Sequence, residues 1–306
     1  MSPPLIFERV SRWYGEVLGV SEIDLELEEG VYGLLGVNGA GKSTLLKLAA
    51  GLIAPSLGSV RVLGGDPHAD PGIRRSIGIC PDVDRFYEGM TGFAWVAHMA
   101  RLFGFDRREA GRRAAAALDR CGMAESMTKK IGACSKGMRQ RIKLARALVH
   151  DPVLLLLDEP LTGLDPVGRD AFVRLVRELG RGGRVVVVSS HVLGEVEEMT
   201  NRIVLIHQGR KMASGGIAEI RGQCEDRPHR VEIRCASPRD LAREVLAMEG
   251  IGGIELHEGR IVVQVLSPGG FFESLTRLGA RGGLGIEAVQ PLDADLEAVF
   301  GYLVRS

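Results

Sequence analysis

The order of segments predicts an α/β fold with a mostly parallel sheet, followed by a small α+β domain. Three observations carry that prediction. Short apolar stretches alternate with amphipathic, helix-spaced segments through residues 153–207, the pattern of repeated βαβ units. A glycine-rich run, Gly36-Val37-Asn38-Gly39-Ala40-Gly41-Lys42-Ser43, stands between an apolar segment and a helix-like one. A second apolar run ends in two adjacent carboxylates, Asp158 and Glu159.

Taken in order, residues 5–10 and 17–27 alternate apolar and polar positions and read as strands, with Trp13-Tyr14-Gly15 as the turn between them. Residues 31–35 form a short buried strand. The glycine run follows, then a helix over 42–50 stopped by Gly51 and Pro55. Strands are expected at 59–62 and 77–80. From about 84 to 130 the chain becomes rich in Ala, Arg and Met, and 93–103 and 107–120 read as helices of an insertion. The α/β order then resumes: strand 153–157, helix 167–179, strand 184–188, helix 193–199, strand 202–207. Polar residues 221–227 interrupt the pattern and mark a boundary. Beyond them the order is strand 230–235, helix 238–248, strand 251–256, strand 260–266, helix 269–278, strand 284–289, the ferredoxin-like succession. Ser237-Pro238 and Ser267-Pro268 each supply a helix N-cap followed by proline at the first helical position. A last amphipathic helix carries Leu292, Leu296, Val299, Phe300 and Leu303 on one face, predicted to dock on its own domain, with a partner surface as the alternative.

Composition narrows the classes. The 306 residues are 45% hydrophobic and 25% charged, ordinary for a globular protein with a sizeable core. Lys and Arg total 39 and so do Asp and Glu, a balance that argues against a general nucleic-acid binder. The five cysteines, Cys80, Cys121, Cys134, Cys224 and Cys235, form no CxxC pair and no zinc spacing, and read as reduced thiols. The opening MSPPLIFERV has neither the basic nor the apolar region of a signal peptide. The apolar runs at 153–157 and 185–188 are far short of the roughly 18 residues of a membrane span.

The glycine run fits G-x-x-x-x-G-K-[ST] in the strand–loop–helix context that gives the pattern its meaning. Glycines let the backbone curl so that N–H groups converge on phosphate oxygens, and the helix start adds partial positive charge. Lys42 is placed to neutralise β- and γ-phosphates and Ser43 to ligate Mg²⁺. Asp158 and Glu159 arrive at the carboxyl edge of the sheet, where open α/β folds bind ligands. There Asp158 suits the Mg²⁺ hydration shell, and Glu159 suits a general base acting on the attacking water. An Asp-Glu pair after a core strand is by itself only a surface cap; the phosphate loop in the same chain points to chemistry. His191 ends a neighbouring strand at the same edge, in reach of a γ-phosphate.

These residues resemble, in order, those of the nucleotide-binding subunits of ABC transporters, over about residues 4–220. Gly36 to Thr44 is similar to the Walker A loop and Leu154 to Glu159 to the Walker B strand. Cys134-Ser135-Lys136-Gly137-Met138 stands where the family usually has L-S-G-G-Q. Leu164-Asp165 resembles the D-loop, His191 the switch histidine, and Tyr14 the aromatic residue that stacks on adenine, with Trp13 the weaker candidate. The resemblance implies a P-loop ATPase sheet with an antiparallel β subdomain and a helical subdomain at about 84–150. The ATPase domain would occupy residues 1–221 and an accessory α+β domain 222–306. It implies ATP and Mg²⁺ as ligands, with Gly36, Asn38, Gly39, Ala40, Gly41, Lys42, Ser43 and Thr44 cradling phosphate in one chain. Ser135, Gly137 and Asp165 would meet the nucleotide of a second chain in a head-to-tail homodimer or a pseudo-dimer with a related subunit.

Three signature positions depart from the usual residues: Cys134, Lys136 and Met138. Asp82 stands where the family usually has glutamine, and as a hard oxygen donor can serve Mg²⁺ or its water. The S-K-G-M-R-Q-R signature and the ending around Leu296-Glu297-Ala298-Val299-Phe300 resemble an exporter branch. The expected protein is therefore an ATP hydrolase, cytoplasmic and peripheral on the inner face of the membrane. It would power separate membrane-spanning permease subunits through a coupling surface around residues 82–91. A soluble ABC-type ATPase acting on DNA or ribosomes and an importer subunit are the alternatives; no nucleic-acid partner is expected.

Overall fold

The computed structural model describes residues 3–216, 219–220, 229–266 and 268–292. Met1–Gly216 and Ile217–Ser306 form two compact units.

In the first unit, β1 (Leu5–Tyr14) pairs antiparallel with β2 (Val17–Leu27) on one side and β4 (Leu57–Val62) on the other. The expected turn at Trp13-Tyr14-Gly15 is displaced. Trp13 and Tyr14 stay in β1, opposite Leu18 and Val17, because Gly15 takes a positive φ of 60° and closes the hairpin beside Glu16. The second sheet has six strands in the order β5 (Ile77–Cys80), β6 (Leu154–Asp158), β7 (Val185–Ser190), β3 (Gly30–Leu35), β8 (Arg202–His207), β9 (Arg210–Gly216). The first five are mutually parallel and β9 runs antiparallel to β8. Strand β9 is not evident from sequence because it is an edge: Ala213 alone is buried, in a run of basic, small and glycine residues interrupted only by Met212.

Strands β6 and β7 are buried along their whole lengths. Leu155, Leu157, Val186 and Val188 pack to one side of the sheet, while Leu154, Leu156, Val185 and Val187 pack to the other. Covering both faces demands apolar residues at every position, which is why these strands read as unbroken runs rather than alternation. On one side lie α1 (Lys42–Ala49) and the antiparallel sheet, with the short α2 (Pro71–Arg74) leading into β5. On the other lie α3 (Gly92–Leu102), α4 (Arg107–Arg120), α5 (Lys136–Leu148) and α6 (Pro166–Arg181). Helix α7 (Leu193–Glu197) seats Val196 directly on β3, where a Cβ on Gly33 would come within 1.9 Å of its Cγ1.

The second unit runs β10 (His229–Cys235), α8 (Pro238–Leu246), β11 (Ile251–His257), β12 (Arg260–Val265), α9 (Pro268–Arg281), β13 (Ile286–Pro291). Its sheet, ordered β11-β12-β10-β13 and antiparallel throughout, is the ferredoxin-like arrangement. Val231, Ile233, Ile261, Val263, Leu241 and Phe271 belong to a core of its own. The expected Ser237 cap is corrected: Pro238 takes the first turn, but the Ser237 hydroxyl makes no capping bond at its extended-side φ of −126° and ψ of 76°. The boundary at 221–227, Cys224, Ser267 and the last amphipathic helix beyond Leu292 lie outside the described residues.

Candidate nucleotide site

Strand β3 ends in the sheet's centre, and the chain leaves it through Gly36 to enter α1 at Lys42. The loop's backbone needs its glycines for two reasons. Gly39 and Gly41 have φ of 82° and 108°. A Cβ on Gly36 would stand 2.4 Å from the Ile206 carbonyl, and one on Gly41 2.7 Å from that of Gly19. The loop is thus clasped between β8 and the start of β2, with Gly209 N–H bonded to the Ala40 carbonyl at 2.8 Å.

Lys42 is 6% exposed, and its ammonium faces three groups: the Gly36 carbonyl at 2.7 Å, the Val37 carbonyl at 3.4 Å and Glu159 Oε1 at 3.4 Å. Glu159 directly follows β6 with φ of 46°, an uncommon left-handed conformation for a non-glycine residue. Its second oxygen, Oε2, meets His191 Nδ1 at 2.9 Å. One carboxylate therefore bridges the phosphate-loop lysine and the histidine at the end of β7. Asp158, 8% exposed, accepts the Ser189 hydroxyl on Oδ1 at 2.6 Å, and that same hydroxyl accepts the Glu159 N–H at 3.0 Å. Ser189 holds both carboxylate residues in place, yet its sequence gives no hint of this. The signal lies in strand register, since Asp158 and Ser189 are direct partners in the parallel β6–β7 pair.

A cleft of about 440 Å³ opens beside the carboxylates, lined by Ser43, Asp82, Phe86, Lys143, Arg146 and Asp158. Ser43, Asp82 and Asp158 thus share one cavity, a hydroxyl and two carboxylates of the hard-oxygen type that suits Mg²⁺. Lys143, also missed from sequence, is 5% exposed and holds the Asp82 loop by donating to the Pro81 and Asp82 carbonyls at 3.0 and 2.8 Å. It also pairs with Asp84 at 2.8 Å. Cys80 lies under this loop, fully enclosed, and burial pushes its thiol up to about 11. Tyr14 reaches the loop as well, its hydroxyl 3.4 Å from Thr44 Oγ1, with the Arg12 guanidinium 5.1 Å from its ring centre. Trp13 instead lines a separate depression with Arg9, Ser11 and Leu57.

Ser135, Gly137 and Asp165 form a second group. Ser135 caps α5 by accepting the Met138 N–H at 3.3 Å, and Asp165 caps α6 by accepting the Gly168 N–H at 3.1 Å. A Cβ on Gly137 would lie 3.5 Å from the Gly163 carbonyl, and the Lys136 stem lies over Gly163, so the two turns abut.

A phosphate loop between β3 and α1, carboxylates at the end of an adjacent parallel strand and a hydrogen-bonded histidine define the class: a P-loop ATPase. Within that class, the chain belongs to the ATP-binding proteins of the ABC transporter family. The family pattern described as ABC transporter matches residues 20–162. The daunorubicin/doxorubicin resistance ATP-binding protein DrrA of Streptomyces peucetius is 35% identical over 246 residues, covering 80% of this chain and 74% of that protein. A Nod factor export ATP-binding protein I of Burkholderia orbicola is 36% identical over 69% of this chain and 70% of its own length. An uncharacterized ABC transporter ATP-binding protein of Synechocystis is 35% identical over 71% of this chain, which spans 62% of that relative. Among solved structures, an ATP binding subunit of an ABC transporter superposes with a TM-score of 0.66 at 28% identity, covering 72% of this chain and 92% of that one. Among the described residues, no helix is long and apolar enough to cross a membrane.

Proposed function

We propose that this chain binds and hydrolyses ATP as the nucleotide-binding subunit of an ABC exporter, driving separate membrane-spanning permease subunits. The observation that carries the reading is the bridge Lys42–Glu159–His191. A γ-phosphate entering the loop competes with Glu159 for the Lys42 ammonium. Once Lys42 turns to phosphate, Glu159 Oε1 is released from its ion pair and is free to face the attacking water. Glu159 then takes a proton from the attacking water as oxygen bonds to the γ-phosphorus and the bond to the β-phosphate oxygen breaks. His191, hydrogen-bonded to Glu159, orients that carboxylate and the water. Gly36, Asn38, Gly39, Ala40, Gly41 and Thr44 line the phosphate cradle, and Tyr14 offers its ring to the base. Ser43, Asp158 and Asp82 are the residues that would hold Mg²⁺, which when bound neutralises charge on the phosphates.

Ser135, Gly137 and Asp165 stand at exposed helix starts suited to the nucleotide of a second chain, in a head-to-tail dimer. Support for export comes from two relatives whose names specify drug resistance and Nod factor export. Support for a membrane partner comes from the segment after Asp82. There Val83 and Tyr87 are 62% and 68% exposed while Phe86 and Tyr87 brace edge-on against Trp95. Through that partner the chain would sit at the inner face of the membrane. We assign residues 1–221 to the ATPase domain and 222–306 to the accessory domain.

Glu159→Gln tests the reading. It should keep ATP affinity, lose turnover by about 10²–10⁴-fold and accumulate as a nucleotide-bound dimer. Near-normal hydrolysis by this variant would remove Glu159 as the base. Purification of the chain from membranes should recover a polytopic protein; recovery of nucleic acid would overturn the transport assignment.

A further inference from the structure

We propose that Arg169 and Glu195 are positioning residues for hydrolysis, tying the helix that begins at Asp165 to the turn that aims His191. The inference rests on the assignment of Glu159 and His191 to the hydrolytic step.

The connection is continuous. Asp165 caps α6, and the Arg169 N–H returns to the Asp165 carbonyl at 2.8 Å, so Arg169 rides the first turn of that helix. Its guanidinium crosses to α7, 3.2 Å from Glu195 Oε1 and 3.7 Å from Glu198 Oε2. Glu195 Oε2 accepts the Ser190 hydroxyl at 2.8 Å. The Ser190 oxygen in turn accepts the Val192 N–H at 3.0 Å, closing a tight turn with His191 at its apex. His191 then reaches Glu159.

Each step leaves little freedom. Ser190 is 1% exposed and uses its hydroxyl both as donor and as acceptor, so the turn's shape follows the carboxylate it is bonded to. Glu195 has a 15% exposed side chain and both oxygens engaged, one by an arginine and one by a hydroxyl. Removing the arginine leaves a half-buried carboxylate without its counter-charge, and a shift of that carboxylate moves Ser190 and the His191 turn with it. Neighbouring serines thus serve opposite sides: Ser189 holds the Asp158–Glu159 corner, and Ser190 holds the histidine to α7 and, through Glu195, to α6.

The functional consequence is directional. Asp165 stands where a second chain would close on the first. Displacement of α6's first turn on closure is conveyed through Arg169 and Glu195 to the residue that orients Glu159. Hydrolysis would then answer to dimer closure while nucleotide affinity, set at the phosphate loop, would not.

Full-length Arg169→Gln and Glu195→Gln chains, assayed beside wild type, Arg169→Lys and Glu159→Gln, provide the test. The two glutamine variants should lose about tenfold in kcat with KM for ATP within about twofold, because they perturb the chemical step and not binding. Arg169→Lys keeps the charge and should retain most turnover. The double variant Arg169→Gln/Glu195→Gln should be no worse than the poorer single one, and Arg169→Gln should add nothing to Asp165→Ala, as expected for residues acting in one chain of contacts. Additive losses, a rise in KM at constant kcat, or equal loss in Arg169→Lys would overturn the proposal. So would wild-type turnover at both positions while Glu159→Gln is inactive, an outcome that leaves the ATPase assignment standing.

Discussion

Lys42 and Glu159 lie 3.4 Å apart, and their side chains are largely enclosed. A pair so placed is useful chemically because each partner is held ready and neither is free to wander. Ser189 makes the same point for the neighbouring Asp158. Its hydroxyl fixes one carboxylate oxygen and the Glu159 backbone at once. Ser189→Ala should raise the Mg²⁺ concentration needed for half-maximal ATPase activity and lower activity overall, by about 10–100-fold in the affected quantity. Titration of ATPase rate against Mg²⁺ reads this directly. Thiol chemistry offers a check on burial at the same scale. Cys80 and Cys121 have thiols pushed up to about 11 and about 12 by burial, so both remain protonated and inert at pH 8. Alkylation of the native chain should spare them and label Cys134, which is partly exposed. Lys42, Asp158 and Glu159 were legible because their spacing sits in a short contiguous pattern. Ser189, Lys143, Arg169 and Glu195 were not, because each acts on a partner brought near by strand register or helix packing.

At the scale of elements, two glycines reveal how closely the pieces fit. Gly33 on β3 receives Val196 of α7, and an added methyl would overlap Val196 Cγ1 at 1.9 Å. Gly33→Ala should destabilise the fold by about 1–3 kcal/mol through overpacking. It should also impair turnover more than ATP binding, because α7 follows His191 directly; thermal melts and single-turnover kinetics separate the two. Gly41 combines a φ of 108° with a backbone carbonyl where its Cβ would lie. Gly41→Ala should therefore abolish nucleotide binding, measurable by fluorescent-nucleotide titration. Most elements of the first unit were recoverable from periodicity and end signals, since buried parallel strands read as apolar runs, but the single-turn α2 was not, being too short to show any periodicity. The exceptions are instructive. The β1 hairpin moved because Gly15 allows a tighter turn than the aromatic pair suggested, and β9 was hidden because an edge strand exposes most of its residues.

For the whole molecule, the proposed head-to-tail dimer makes a direct prediction: if each chain supplies a phosphate loop to one site and Ser135 and Asp165 to the other, two chains must join complementary halves. Lys42→Ala and Ser135→Ala chains should each be nearly inactive. Mixed, they should recover up to roughly a quarter of wild-type activity, since half the dimers are mixed and each holds one intact site. Absence of recovery would remove the shared-site arrangement. Closure of that dimer should also slow alkylation of Cys134, which adjoins Ser135. The second unit has its own hydrophobic core, so residues 1–216 should fold and bind ATP without it.

The amino-acid sequence by itself determined the α/β order, the phosphate loop, the carboxylate pair and the family, because these are local patterns whose physics acts over a few residues. Tertiary structure decided which groups meet. It gave Glu159 two partners from different elements, assigned Tyr14 rather than Trp13 to the loop, and drew Asp82 into the cleft with Ser43 and Asp158. It also linked Asp165 to His191 through Arg169, Glu195 and Ser190. Those outcomes depend on strand register and on which helix face is buried, and both are settled only when the two sides of the sheet are packed.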